Sequence, residues 1–453
     1  MYVIKETTMG KYFGTDGVRG IANTQLTAEL AFKLGRYGGY YLAQQHHDPK
    51  IVVGRDTRVS GEMLEAALTA GLLSVGINVV KLGVLPTPAV AYMTRQLHAC
   101  GGIMISASHN PFEDNGIKFF GSDGFKLLDE IEEQIEASLE NEDIFPRPVG
   151  ASVGRVLDYF EGTETYSTFL KSTIEHSFKG LRIVLDCANG AASTIAADLF
   201  SDLGAEVFVI ANQPDGININ VDCGSTHPET LQQTVLEKKA DIGLAFDGDA
   251  DRLIAVNENG ELVDGDAILY VCGKHLKAKN KLKKNTVVST VMSNFGFKKA
   301  LDAENMLTKQ TAVGDRYVME EMIKNGYNLG GEQSGHLIFL DHNTTGDGVL
   351  SALQLVNVMI DSQQSLLQLA KGFTQYPQLL VNVKVDSKEG WDQNETIQTS
   401  IREGENILGE DGRILVRPSG TESLIRVMAE GPDDLTIKDI VEKIATTIKE
   451  ECS

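Results

Sequence analysis

Ser108 stands in the stretch Gly102-Ile-Met-Ile-Ser106-Ala-Ser108-His109-Asn110-Pro111, where an apolar run gives way to small and polar residues and then a proline. The run Ile103 to Ile105 predicts a buried strand, and the proline stops any helix that follows. Ser108 is therefore expected on a loop at a strand's carboxyl end, with its hydroxyl partly exposed. Open α/β sheets build their sites at that position. A serine beside a histidine is an ordinary loop feature on its own, so the chemistry depends on what else the chain offers.

A second stretch offers it a cation. Asp241-Ile-Gly-Leu-Ala-Phe246 predicts another apolar strand and runs into Asp247-Gly-Asp249-Ala-Asp251-Arg252. Carboxylates at three alternate positions repel one another, and an oxygen-only ligand set suits Mg²⁺ or Ca²⁺ rather than zinc. An EF-hand loop is the main rival, and Glu258 does fall at its twelfth position. The glycine needed at position six is Arg252, however, and a strand precedes the loop where a helix should. Three protein carboxylates leave Mg²⁺ with open positions, one of which a phosphate oxygen could fill.

Two further segments add ligand-binding chemistry. Gly330-Gly331-Glu332-Gln333-Ser334-Gly335-His336 concentrates hydrogen-bonding side chains among glycines that let the backbone approach a ligand closely. Arg417-Pro418-Ser419-Gly420-Thr421-Glu422 follows the strand-like Arg413 to Val416. An arginine, hydroxyls and a glycine-hinged turn make a phosphate cradle, because guanidinium binds oxyanions bidentately and backbone N–H groups converge on them.

In this order the four segments resemble the α-D-phosphohexomutases, over nearly the whole chain from Lys11-Tyr12-Phe13-Gly14-Thr15-Asp16-Gly17-Val18-Arg19-Gly20 to Arg426. Ser106 to Pro111 matches the family's phosphoserine loop, Asp247 to Arg252 its metal loop, Gly331 to His336 its sugar loop, and Arg417 to Glu422 its phosphate loop. Ser106, Gln333 and Gly224-Ser225-Thr226-His227-Pro228 resemble the glucosamine branch. Ser423 stands where the family commonly has proline.

The resemblance implies an isomerase that interconverts glucosamine 6-phosphate and glucosamine 1-phosphate and feeds amino-sugar and peptidoglycan precursor synthesis. Phosphorylated Ser108 would donate its phosphoryl group to a sugar hydroxyl. Glucosamine 1,6-bisphosphate would form, turn end for end, and return its other phosphoryl group. One Mg²⁺ on Asp247, Asp249, Asp251 and the Ser108 oxygen would offset the charge, with Arg252 beside it. Lys118 and His109 are the candidates for proton transfer. Lys118 would need a lowered pKa to act as a base, which two nearby cations could provide. Arg19, Glu332, Ser334 and His336 would contact the sugar phosphate. Arg417, Ser419, Gly420, Thr421 and Arg426 would hold the phosphate that does not react. A phosphoglucomutase or phosphomannomutase, a phosphatase and a catalytically silent sugar-phosphate sensor are the competing readings.

The elements that must position these residues follow an α/β plan. Three segments repeat strand, glycine-rich loop and helix without an evident sequence repeat. The first has strands at Lys50 to Gly54 and Asn78 to Leu82, with Arg55-Asp56-Thr57-Arg58 and a helix from Gly61 to Leu73 between them. The second has strands at Arg182 to Leu185 and Glu206 to Ile210, a helix from Ala191 to Leu203, and a hairpin turn at Asn257 to Gly260. The third has strands at Thr286 to Thr290 and His336 to Leu340 and a helix from Arg316 to Lys324. The tail has strands at Leu379 to Val385, Gly412 to Val416 and Leu424 to Ala429 and a helix from Leu435 to Lys449. The expected fold is three related α/β domains, 1–161, 162–264 and 265–374, and a smaller C-terminal α+β domain, 375–453, around a central cleft.

Bulk properties agree with a cleft enzyme. At 453 residues the chain exceeds a single core. A hydrophobic content of 42% and a charged content of 23% are those of a globular protein. The net charge of −22 argues against nucleic acid or an anionic membrane as partner. An anionic hexosamine phosphate must then be drawn in locally, and Arg19, Arg55, Lys118, Arg252, Arg417 and Arg426 are the candidates. Five scattered cysteines without metal-type spacing suggest reduced thiols and a cytoplasmic location. No apolar run reaches the ~18 residues of a membrane span, and the N-terminus lacks a signal-peptide core. A homodimer is compatible with the sequence.

Overall fold

A computed structural model describes residues 11–14, 16–44, 46–419 and 423–452. The chain divides into two compact units. One runs to Met292 and resumes over Met306–Lys371, and the other comprises Ser293–Asn305 with the chain from Gly372 onward.

The first unit holds three sheets. The first sheet is built from β1 (Phe13–Gly14), β2 (Gly17–Ile21), β3 (Lys50–Arg55), β4 (Asn78–Val84), β5 (Gly101–Ile105), β6 (Asp114–Gly121) and β7 (Val156–Asp158), in the order β1-β2-β6-β5-β3-β4-β7. The second contains β8 (Arg182–Asp186), β9 (Glu206–Ile210), β10 (Ile242–Phe246), β11 (Leu253–Asn257) and β12 (Leu262–Val263), in the order β12-β11-β10-β8-β9. The third contains β13 (Thr286–Thr290), β14 (Leu307–Thr311), β15 (Leu329–Gly331) and β16 (Leu337–Phe339), in the order β14-β13-β15-β16.

One topology recurs in all three. A central strand (β3, β8, β13) pairs in parallel with the next strand on one side and with a third strand on the other. The third strand (β5, β10, β15) then pairs antiparallel with the strand that follows it. The repeat that is invisible in the residues is thus explicit in the strand order. Each central strand is buried along its middle, which suits strands covered on both faces.

Two expected elements differ. Ala191 to Leu203 is not one helix but a 3₁₀ turn, Ala191–Thr194, followed by a helix over Ala196–Asp202. The Ala191 N–H donates to the carbonyl of Gly248 at 2.8 Å, so a tertiary bond takes the donor at the start of the segment. His336 and Leu340 lie outside β16, and His336 instead forms an isolated bridge with Arg252.

The second unit carries an antiparallel sheet of β17 (Gln378–Lys384), β18 (Arg413–Pro418) and β19 (Leu424–Glu430), ordered β17-β19-β18. Helix Asp434–Glu451 packs Ile437, Ile440, Val441, Ile444 and Ile448 against it, together with Ile397 and Leu408 of helix Glu395–Leu408. Those spacings of three and four form one apolar helix stripe.

Candidate active site

The three sheets of the first unit place their chemistry at one topological position, the turn between the third parallel strand and its antiparallel successor. Between β5 and β6 lies Ser108, between β10 and β11 the three aspartates, and between β15 and β16 Glu332 to His336. The last two turns are joined directly, because the Leu253 N–H donates to Gly335 O at 2.9 Å beside the Arg252–His336 bridge. Gly248 lets the first two approach. A Cβ there would lie 2.5 Å from Ser108 O, closer than any side chain permits.

Ser108 is 1% exposed, not partly exposed as its loop position suggested, because the metal loop closes over it. Its Oγ donates to Asp247 Oδ2 at 2.5 Å and lies 3.3 Å from His109 Nδ1. Carboxylate oxygens of Asp247, Asp249 and Asp251 lie within 4.8 Å of one another, all buried. Thr87 Oγ1 (2.5 Å) and Lys118 Nζ (2.7 Å) both donate to Asp249 Oδ2. Asp249 Oδ1 and Asp251 Oδ1 are buried with no hydrogen-bond partner among the described residues. Bare buried carboxylate oxygens cost at least about 1–3 kcal/mol each, and a hard cation removes that cost. The donor set therefore fits Mg²⁺.

Electrostatics sort the protonation states. Burial, then Asp251 and Asp249, push the Asp247 carboxyl well above its usual range. Burial also disfavours the charge on Asp251, but Lys118 and His336 outweigh it and hold this carboxyl well below its ordinary value. His109 is pushed down to about 4 by burial, Arg252 and Arg19, so its ring is neutral at pH 7.

Lys118 departs from expectation. Burial disfavours its charge, but Asp16 (2.9 Å), Asp249 (2.7 Å) and Asp251 (3.7 Å) surround it, and its pKa rises rather than falls. The cations expected to depress it are outnumbered by carboxylates.

The ion pairs continue beyond Lys118 into a ring. Asp16 also pairs with Lys126 (2.5 Å), Lys126 with Asp315 (2.5 Å), Asp315 with His336 (3.4 Å), and His336 with Asp251 (3.5 Å). Burial lowers the His336 pKa, but Asp251 and Asp315 lift it to about 9. The Gly346 N–H, 3.1 Å from Nε2, can donate only to a neutral ring. A cation on Asp251 would weaken that carboxylate's pull and so favour the neutral form.

Beside the ring opens a cavity of about 520 Å³ lined by Arg19, Ser108, Asp251, Arg252, Glu332 and His336, with Lys11 to Gly14 at its wall. A larger groove of about 710 Å³, lined by His47, Arg147 and Arg155, lies elsewhere and gathers no comparable set of acids and bases.

Family models for phosphoglucomutase/phosphomannomutase match the chain in four consecutive parts: α/β/α domain I over 10–144, domain II over 158–260, domain III over 264–376 and the C-terminal domain over 380–447. The chain is 58% identical over 443 residues to phosphoglucosamine mutase of Shouchella clausii, covering 98% of this chain and 99% of that one. With the same enzyme of Brevibacillus brevis it shares 59% over 446 residues, 98% and 100% of the two chains. The chain belongs to the phosphoglucosamine mutase family. Its fold is that of a phosphoglucomutase/phosphomannomutase family protein from Burkholderia thailandensis, with a TM-score of 0.81 at 23% identity over 98% of both chains. Aspergillus fumigatus N-acetylphosphoglucosamine mutase, solved with GlcNAc-6P and magnesium, gives 0.67 at 17% identity over 98% and 96%.

Within this member of the phosphoglucosamine mutase family, the expected site residues separate into groups. Ser108, His109, Lys118, Asp247, Asp249, Asp251, Arg252, Arg19, Glu332 and His336 lie together around the triad and cavity. Ser334 is exposed on the sugar-loop turn. Arg55 is turned toward Glu62 (3.3 Å) and Glu65 (3.6 Å) rather than into the cavity. Arg417, Ser419 and Arg426 belong to the second unit, where Arg417 and Arg426 are cross-strand partners whose buried Nε atoms have no hydrogen-bond partner among the described residues. Gly420 and Thr421 fall outside the described residues. Thr87, Lys126 and Asp315 have no signal in the sequence, since each is paired to a residue far along the chain. Asp16 stands in the quoted Lys11–Gly20 stretch and could have been read as a partner for Arg19, its neighbour three residues on.

Proposed function

We propose that the chain interconverts glucosamine 6-phosphate and glucosamine 1-phosphate through phosphorylated Ser108 and glucosamine 1,6-bisphosphate. The observation that carries this reading is the 2.5 Å approach of Ser108 Oγ to Asp247 inside a buried carboxylate triad, beside a cavity of sugar-phosphate size. Sequence identity near 60% to enzymes of that name supports the same substrate.

In the first half-reaction the sugar O1 hydroxyl takes the phosphoryl group from Ser108. The hydroxyl loses a proton and Ser108 Oγ regains one. His109, neutral and 3.3 Å from Oγ, is able to accept a proton, and the charged Lys118 is able to give one. In the second half the O6 phosphoryl group returns to Ser108. Asp247, Asp249, Asp251 and the Ser108 oxygen would hold Mg²⁺, which would supply electrostatic stabilisation of the transferring charge. Arg252 and Arg19 add fixed positive charge at the cavity wall. Glu332 and His336 contact sugar hydroxyls, and Ser334 meets the sugar as well. Arg417, Ser419, Gly420, Thr421 and Arg426 bind the phosphate that is not transferred.

A coupled assay for glucosamine 1-phosphate, combined with intact mass to count phosphates, tests the reading. Turnover of glucosamine 6-phosphate with one phosphate per chain is expected. Faster turnover of glucose or mannose phosphates would move the assignment to a sister specificity. Release of inorganic phosphate would make it a phosphatase. Binding without turnover would make it a sensor.

A further inference from the structure

The Arg55-Asp56-Thr57-Arg58 segment at the end of β3 takes no part in the chemistry above, yet Asp56 and Arg58 are both 0% exposed. Arg58 is ion-paired to Asp56, whose Oδ1 also accepts the Arg58 N–H at 3.0 Å. A buried pair of this kind is a weak source of net stability, so its geometry is more informative than its energy. Arg58 Nη2 donates to Ser108 O at 3.1 Å and to Asn110 O at 2.6 Å. Asn220 donates to the same two carbonyls from the other side, its Nδ2 lying 2.9 Å from Ser108 O and 3.1 Å from Asn110 O. Asn220 is itself tied to the second sheet's loops, because its N–H donates to Ala188 O at 2.9 Å.

Ser108 needs such support. Its φ is 54°, in the left-handed region that disfavours side-chain-bearing residues by about 1–2 kcal/mol. Strain of this sort persists only where the surroundings over-determine it. The Ser108 N–H is held by Ser106 Oγ at 2.9 Å and its carbonyl by Arg58 and Asn220, so both flanking peptide planes are fixed. Only χ1 is then left to aim the Oγ.

We propose that Arg58 and Asn220 form a two-donor clamp that holds Ser108 in its left-handed conformation and so directs its Oγ into the carboxylate triad. Both are positioning residues. They touch the backbone of the phosphoserine loop and not the reacting atoms. Arg58 comes from the first sheet's segment and Asn220 from the second's, so the clamp locks the nucleophile to the register between the two. The inference rests on the mutase reading for its kinetic consequence, but the clamp itself is a statement about the loop.

The test uses the full-length protein with Asn220→Asp and Asn220→Gly. Aspartate keeps the size and the tolerance of a left-handed backbone, needed because Asn220 has φ 59°, but turns an acceptor toward the carbonyls. Glycine keeps the backbone freedom and removes the donor. Because misplacing a reacting group by about 1 Å costs on the order of a hundredfold, kcat should fall about ten- to a hundredfold. KM for glucosamine 6-phosphate should stay within about threefold, and deuterium exchange at the amides of 106–110 should accelerate. Arg58→Lys keeps the charge facing Asp56 but loses the fork, and should show the same split. An unchanged kcat in both Asn220 variants, or a raised KM with kcat retained, overturns the proposal. If the parent turns over no hexose phosphate at all, the mutase reading fails. Exchange at 106–110 then decides the clamp alone: acceleration upholds it and no change overturns it.

Discussion

At Ser108, burial changes what removal of the hydroxyl does. Ser108→Ala deletes the donor to Asp247 Oδ2, and that carboxyl is enclosed with Asp249 and Asp251 close by. Turnover should vanish because the phosphoryl carrier is gone. In chelator, stability should fall by about 1–3 kcal/mol, the cost of a buried acceptor left unpaired. Added Mg²⁺ should return most of that loss by binding the folded state. Turnover assays and melting curves with and without Mg²⁺ check both halves, and substantial residual turnover in the variant refutes the phosphoserine role. Ser108 and the triad were legible in the sequence because each is a short local motif behind an apolar run. The ring that completes the site was not. Lys126 with Asp315, or Asp16 with Lys118, are pairs whose members lie far apart along the chain and meet only through the fold.

Secondary-structure elements carry these residues to one place by repeating one strand order three times, and the turn after each third parallel strand is where the candidate site residues sit. The apolar runs Ile103 to Ile105 and Asp241 to Phe246 announced two of those third strands, β5 and β10. The antiparallel β6, which carries Lys118, was not announced, because Ile117, Lys118, Phe119 and Phe120 are all buried and no alternation marks the strand. Gly248 tests the convergence of the turns. Gly248→Ala places a methyl group 2.5 Å from Ser108 O and 2.9 Å from Asn220 Nδ2, so the metal and phosphoserine loops must part. Turnover should fall at least about tenfold with a smaller change in melting, whereas parent-like kinetics would show that the turns need not touch. A helix pair gives a pH test. Glu132, on helix Asp129–Glu140, faces Arg316 of helix Asp315–Asn325 at 3.5 Å. Burial raises its pKa more than Arg316 lowers it, from an ordinary 4.5 to about 7. The unfolded chain therefore loses this proton first, and stability should fall as pH rises from about 4.5 to 7. Melting curves of Glu132→Gln should lack that component, and parallel pH profiles for variant and parent would exclude it.

The whole molecule carries a net charge of −22, yet its proposed substrates are anions, so positive charge must be concentrated where they bind. The second unit shows such a concentration. Arg417 and Arg426 lie opposite each other on β18 and β19, and burial and then Arg426 depress the Arg417 pKa. Like charges facing across strands are destabilising, and the Nε atom of each is buried without a partner among the described residues. An oxyanion bound by the pair would resolve both features. The sequence pointed to Arg417-Pro418-Ser419 as part of a proposed phosphate cradle but gave no sign that Arg426 would be the cross-strand partner of Arg417, because register is set by the pairing of β18 with β19 and not by local pattern. Arg417→Ala should relieve the repulsion, so the melting temperature should hold or rise slightly in phosphate-free buffer. The stabilisation that inorganic phosphate gives the parent should shrink. Losing one charge-assisted contact should weaken substrate binding by roughly 1.5–3 kcal/mol, about ten- to a hundredfold in KM. The same guanidinium would hold the reoriented bisphosphate, so kcat should fall as well and free glucosamine 1,6-bisphosphate should appear in the medium. Added bisphosphate should then restore part of the rate by rephosphorylating Ser108. If KM and kcat both stay within about twofold of the parent, and phosphate stabilises variant and parent equally, then Arg417 is a surface arginine and the second unit binds the substrate through other residues.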